Sequence, residues 1–266
     1  MYRLDNSFAR SRFAVTVVGC GGTGGFVAEG LCRLLPPRAD LVLVDPDRVE
    51  ERNLGRQNFT REDMGRFKSE ALAHRLARRY GRAVGYTVLP VVMAKLRSGL
   101  VIGCVDNGLA RRDIAARIPH RSFMYSAASP MPTVTAPSWW LDAGNAENYG
   151  QILIGNGSEL ELSGSFDEEQ GICFALPLPT IQRPELLAEA PRRRDCAEIA
   201  VEQGPTINQA MAALVLEVAR RVIEGTCPWM QLYCDLEAGT LTPALATPEA
   251  VSRITGIRER RLLERR

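Results

Sequence analysis

FAVTVVGCGGTGGFVAEGLCRLLPPRADLVLVD, residues 13–45, decides the fold. FAVTVV (13–18) is an unbroken apolar, β-branched run, the pattern of a strand buried on both faces of a parallel sheet. A glycine cluster, Gly19 to Gly25, follows it, and then a helical segment to about Leu35, which Pro36 and Pro37 stop. LVLVD (41–45) is a second buried strand. Strand, glycine turn, helix and strand within about thirty residues form the first unit of a doubly wound α/β sheet.

Within this unit Gly19, Gly21 and Gly24 stand as G-x-G-x-x-G directly after a strand. Glycines there permit a tight turn and let backbone N–H groups approach a phosphate, and the helix N-terminus adds partial positive charge. Asp45, at the end of the next strand, is placed to accept hydrogen bonds from ribose hydroxyls. An ordinary turn uses the same glycines, and the motif alone does not separate NAD from ATP.

Outward from this unit, residues 46–58 read as a loop with a short helical turn, and 66–80 as a helix with Leu72, Leu76 and Tyr80 on one stripe. YTVLPVV (86–92), LVIGCVD (100–106) and SFMYSAA (122–128) read as further strands, with a helix over 109–118. WWLDAG (139–144) and GQILIG (150–155) read as antiparallel strands. Residues 156–195, rich in Gly, Ser, Pro and charge, read as a long surface loop or mobile crossover. A helix from about Thr206 to Glu224, a terminal hairpin around Ala238-Gly239 and a frayed helix at RERRLLERR complete the chain. The expected fold is α/β: a Rossmann-like doubly wound sheet, parallel in its N-terminal half and mixed or antiparallel in its C-terminal half.

The 266 residues suit one large domain, and a 45% hydrophobic fraction suffices for its core. A net charge of +2 gives no argument for nucleic-acid or membrane partners. Lys68 and Lys95 are the only lysines among 33 basic residues, so a lysine in a motif stands out. Seven cysteines without framework spacing, an N-terminus without a signal-peptide apolar core and no apolar run near 20 residues point to a reducing, cytoplasmic setting.

The block VDPDRVEERNLGRQNF follows the second strand and leads to Lys68. Asn53 and Arg56 are three apart, so a helical turn puts them on one face, and Lys68 can reach back toward the same pocket. Hydride transfer has no need of such a cation cluster. Breaking an α–β phosphate bond has, because charge builds on the leaving pyrophosphate. For Arg56 or Lys68 alone, a solvated helix face is the simpler reading. Asp106 sits at a carboxyl-end strand tip, where it can hold Mg²⁺ against phosphates or instead cap the helix over 109–118.

GCGGTGG, VDPDRVEERNLGRQNF with Lys68, and CVDN, in this order, resemble the ThiF/MoeB superfamily, which activates ubiquitin-like and sulfur-carrier proteins. DCAEIAVEQGPTINQAMAALVLEVARRVIEG (195–225) resembles that family's cysteine-containing loop and following helix. WWLDAGNAENYGQILIG (139–155) is most similar to the ThiF family of the bacterial PRTRC gene system. The similarity covers most of the chain. It implies a single ThiF-like adenylation domain over 1–266, with a nucleotide-binding half (1–130) and a carrier-protein-binding half (131–266) whose mobile crossover spans about 156–205.

The resemblance also implies site roles. Gly19, Gly21, Gly22, Gly24, Asp45, Asp47, Gln57 and Asn107 would surround the nucleotide. Asn53, Arg56 and Lys68 would contact the phosphates, and Asp106 would organise Mg²⁺. In similar homodimers an N-terminal arginine enters the partner subunit's site, with Arg10 and Arg12 as candidates here. ATP would be consumed on the carboxylate terminus of a small β-grasp protein, and Cys196 would be the reactive thiol of the loop. The paired C-x-x-C of zinc-holding relatives is missing, so no zinc site is expected. An NAD-dependent oxidoreductase and a catalytically idle scaffold for nucleotide or a ubiquitin-like protein stay open as alternatives.

Overall fold

The computed structural model of the chain describes residues 1–118, 123–126, 129–134, 138–188 and 206–264, and for 123–126 and 129–134 the backbone only. Its strands are β1 (Arg3–Leu4), β2 (Phe13–Val18), β3 (Ala39–Val44), β4 (Val84–Thr87), β5 (Gly99–Gly103), β6 (Phe123–Ser126), β7 (Ser129–Val134), β8 (Trp139–Asn145), β9 (Tyr149–Gly155), β10 (Phe166–Asp167), β11 (Ile172–Cys173), β12 (Trp229–Asp235) and β13 (Thr240–Leu245). The helices are α1 (Gly22–Leu34), α2 (Lys68–Tyr80), α3 (Gly108–Arg117), α4 (Pro179–Gln182), α5 (Ile207–Glu224), α6 (Pro248–Thr255) and α7 (Glu259–Leu263).

Eight strands make one sheet in the order β13-β12-β9-β8-β5-β2-β3-β4. From β4 through β3, β2 and β5 to β8 every pairing is parallel. From β8 through β9 and β12 to β13 every pairing is antiparallel. All six residues of β2 are buried, as its continuous apolar run requires, because the sheet is covered on both faces. Alternation along the strands sorts the core: Val15, Val17, Leu100, Ile102 and Trp139 pack on one side, and Val18, Val101 and Trp140 on the other with Ile114 of α3.

The strand read over 122–128 is present as β6, which pairs with β7 in a two-stranded ladder outside the main sheet, while β8 takes the place beside β5. One expectation is corrected. Residues 156–188 are folded into the body of the protein instead of forming a long surface loop. Leu162, Phe166, Cys173 and Leu176 are buried there, and β11 joins β10 and β1 in a three-stranded sheet. The apolar anchors are spaced too irregularly for a strand or helix period, and the Gly, Ser and Pro between them serve the turns. Among the described residues no helix is long and apolar enough to cross a membrane.

Candidate functional site

A cavity of about 560 Å³ opens at the carboxyl ends of β2, β3, β5 and β8. Doubly wound sheets bind their ligands in this crevice. One wall begins with the glycine turn. Gly19 has φ +87°, a conformation that favours glycine, and a Cβ on Gly24 would overlap the Gly19 carbonyl oxygen. These two glycines shape the turn, whereas Gly21 and Gly22 line the cavity at the start of α1.

Asp45 lines the cavity with 5% exposure, and both its oxygens already hold the turn. Oδ2 accepts from the Cys20 N–H at 2.6 Å and Oδ1 from the Asp47 N–H at 2.8 Å. Burial pushes this carboxyl above its ordinary range against those two bonds and the nearby Lys68. The role read for Asp45 toward a ribose therefore shares the side chain with a structural one. Lys68, the first residue of α2, is 8% exposed, and its Nζ pairs with Asp47 Oδ2 at 2.9 Å. Arg56 and Gln57 line the same wall.

Asn53 does not face the cavity. The backbone stays turned past Asn53, with the Gln57 N–H donating to the Asn53 carbonyl at 3.0 Å, but the two side chains part: Arg56 lines the cavity and Asn53 does not. Asn53 is buried, and its Oδ1 accepts from the Glu50 N–H at 2.8 Å in a capping box. At the tip of β5 the cap of α3 is Asn107, whose Oδ1 accepts from the Ala110 N–H at 2.8 Å. Asp106 is thereby left on the cavity wall with an exposed carboxylate, its Oδ1 accepting from Asn107 Nδ2 at 3.2 Å. Arg12 lies at the opposite, amino end of β2, 73% exposed at its side chain and paired with Asp40 at 2.7 Å. It cannot serve the cavity of its own chain. Cys196 falls outside the described residues.

The far wall was not read from the sequence. Arg111 and Asp142 form a buried pair, with Arg111 Nε donating to both carboxylate oxygens at 3.1 and 3.0 Å. Burial pushes the Asp142 carboxyl up to about 6 even with Arg111 alongside. Thr23 Oγ1 donates to Asn208 Oδ1 at 3.2 Å, and Asn145 Nδ2 donates to the same oxygen at 3.2 Å, tying α1, β8 and α5 together. The charged residue inside the apolar strand WWLDAG was the signal for the first pair. The asparagine cluster joins positions 23, 145 and 208, which no local pattern connects. Cys104, also on the wall, is a poor nucleophile, since burial raises its thiol to about 12. Among the described residues no group of three or more His, Cys, Asp or Glu side chains is placed to hold a metal.

The sheet, the glycine turn at a helix N-terminus and the cation-bearing crevice define a Rossmann-like nucleotide-binding protein. Residues 8–224 match the ThiF family, and the chain belongs to it. Over 76 residues it is 37% identical to the ATP-dependent ubiquitin transferase-like protein Cap2 of Escherichia coli (strain TW11681), a match covering 28% of this chain and 13% of that protein. Among solved structures, E. coli MccB superposes with a TM-score of 0.58 at 14% identity over 90% of this chain and 65% of MccB. PaaA superposes at 0.54 and 13% identity over 90% of this chain and 73% of PaaA. The chain thus spans under two thirds of MccB and a small part of Cap2.

Proposed function

We propose that the protein activates a carboxylate with ATP. In this reaction the C-terminal carboxylate of a small ubiquitin-like (β-grasp) or sulfur-carrier protein attacks the α-phosphate, an acyl-adenylate forms and pyrophosphate leaves. The observation that carries the reading is the convergence of Arg56, Lys68 and Asp106 with the glycine turn on one cavity. Relatives add support: Cap2 is described as an ATP-dependent ubiquitin transferase-like protein, and MccB has been solved with ATP and in complex with N-formylated MccA.

An α-carboxyl group has a pKa of about 3.3–3.7, so the nucleophile is ionised at neutral pH and needs no general base. Catalysis is then positioning and charge neutralisation. Backbone N–H groups at the start of α1 face the phosphates, and Lys68 and Arg56 offset the charge that develops on the leaving pyrophosphate. Lys68 exchanges part of its contact with Asp47 for phosphate as it does so. Asp106 is a hard oxygen donor of the kind Mg²⁺ accepts together with substrate phosphates and water, and the cation would supply further charge neutralisation there.

We further infer a two-fold homodimer in which Arg12 or Arg10 of one copy enters the cavity of the other, since its own cavity lies at the opposite strand ends. Six free cysteines among the described residues fit a reducing cytoplasmic setting. The similarity of residues 139–155 to the PRTRC-system family makes a β-grasp protein of that system the first carrier to try.

Calorimetric titration with α,β-methylene-ATP, with and without Mg²⁺, and with NAD tests the nucleotide. The ATP analogue should bind in a Mg²⁺-dependent way and NAD should not; the reverse would establish the oxidoreductase alternative. ATP–pyrophosphate exchange driven by a β-grasp protein with a free Gly-ending tail tests the chemistry. Lys68→Ala, Arg56→Ala and Asp106→Ala should each lose about 10²-fold or more, the scale of removing one preorganised charge-stabilising group. Nucleotide binding without any exchange would leave the idle scaffold, and near-normal exchange in all three variants would refute the site.

A further inference from the structure

Arg111 lines the cavity, is 6% exposed and is tethered at one end only. Its Nε donates to both oxygens of the sealed Asp142 carboxylate, at 3.1 and 3.0 Å. Among the described residues no acceptor meets Nη1 or Nη2. Neither of these nitrogens is shut away from solvent, as an unpartnered donor in the core would be. The buried carboxylate therefore fixes the direction of the guanidinium and leaves the N–H groups of both terminal nitrogens open on the cavity. The Nη2 side faces Gly144 of β8, which lines the same wall. A Cβ at Gly144 would stand 3.4 Å from Arg111 Nη2 and 3.8 Å from Gln151 Nε2, with no acceptor among its nearest neighbours.

Glycine thus keeps clear a spot that nitrogen donors border, and an oxygen is what such a spot takes. Arg111 and Asp142 together carry no net charge once Asp142 ionises, near pH 6, so the spot offers direction more than charge. That suits a neutral carbonyl better than a phosphate, for which Lys68 and Arg56 stand elsewhere on the cavity. We propose that Arg111 is a specificity-determining residue that holds a main-chain carbonyl of the substrate's tail against Gly144. The carbonyl is one of the last two before the activated carboxylate, and Arg111 donates to its oxygen through Nη2. Arg111 touches no reacting atom. Small carboxylic acids carry no such carbonyl and forgo this bond, so the site favours peptide C-termini over them. The inference rests on the adenylation reading.

The test uses acetyl-, acetylglycyl- and acetyldiglycyl-sulfamoyladenosine, unreactive mimics of an acyl-adenylate that add one peptide carbonyl at a time. Each is titrated calorimetrically into the full chain, into Gly144→Ala and into the double variant Arg111→Met/Asp142→Leu, with α,β-methylene-ATP as the control. Gly144→Ala fills the spot and leaves the buried pair intact. The double variant removes both charges together, so neither is stranded in the core. In the wild type one of the two added carbonyls should tighten binding about tenfold or more, the scale of a hydrogen bond to a charged group. Both variants should lose that step and bind the ATP analogue as the wild type does, and Gly144→Ala decides by itself should the double variant not fold. No step in the wild type, or a step that survives in either variant, would overturn the proposal while leaving adenylation intact. Weaker binding of α,β-methylene-ATP to either variant would assign the spot to the nucleotide and overturn it as well. Failure of all three acyl probes to bind where α,β-methylene-ATP binds would remove the adenylation reading and this inference with it.

Discussion

Asp142 is a carboxylate with no exposed surface, held against Arg111 in the wall of the cavity. Burial is the larger influence on it and the arginine the smaller, so its proton is released only near pH 6 instead of the ordinary 3.8. The folded chain binds this proton more tightly than the unfolded chain does. The stabilising contribution is complete below the unfolded value and is lost as pH rises through about 6. The stability of the wild type relative to Asp142→Asn should thus fall, by an amount on the order of 2–3 kcal/mol at most, between about pH 4 and 7, and level off above. Urea unfolding of both proteins across that range checks it, and a difference that stays flat or grows with pH contradicts it. The same scale shows the limit of local reading. Asn53 and Arg56 are neighbours in the sequence motif and share one turn, yet Asn53 is drawn inward to cap the Glu50 N–H and only Arg56 reaches the cavity.

At the scale of elements, glycine marks where backbones touch. A Cβ on Gly155, the last residue of β9, would overlap the backbone carbonyl of Pro177, whereas one on Gly30 in α1 would meet only the side-chain end of Leu216 on α5. A backbone cannot step aside, but a leucine can change rotamer. Gly155→Ala should therefore cost about 1–3 kcal/mol or more in urea unfolding. Gly30→Ala should cost less, since removing a mid-helix glycine returns roughly 0.5–1 kcal/mol. An equal or larger loss at Gly30 would show that the α1–α5 contact is the tighter one. The Pro177 contact belongs to the 156–188 segment, whose composition suggests an exposed loop. Its order comes from bonds across the segment and from outside it: the N–H groups of Asn156 and Gly157 both donate to the Leu176 carbonyl, at 3.0 and 2.9 Å, and the Gly164 N–H donates to the Arg261 carbonyl at 2.9 Å.

For the whole molecule, the sheet places Arg12 and the cavity at opposite ends of β2. An N-terminal arginine that takes part in the reaction must belong to a second copy. Light scattering at micromolar concentration should give a dimer. Mixing an Arg12→Ala or Arg10→Ala chain with a Lys68→Ala chain should restore exchange that neither supports alone, because one mixed site in each heterodimer is then intact. A monomer in solution, or no recovery on mixing, would remove the arginines from the site.

Residues 13–45 by themselves determined the first strand–helix–strand unit of the parallel half, β2, α1 and β3. Strand burial, the glycine turn and the helix stop are local properties, set by side-chain period and backbone sterics. The antiparallel half was equally legible in WWLDAG and GQILIG as strands, and Gly21, Lys68 and Asp106 as cavity residues followed from strand ends and spacing. Tertiary structure alone decided that β8 and not β6 completes the parallel set beside β5. It alone brought Arg111 to Asp142, and Asn208 to Thr23 and Asn145. Such pairings depend on loop closure and on competition for buried hydrogen bonds between segments tens to more than a hundred residues apart, and no short window of sequence records either.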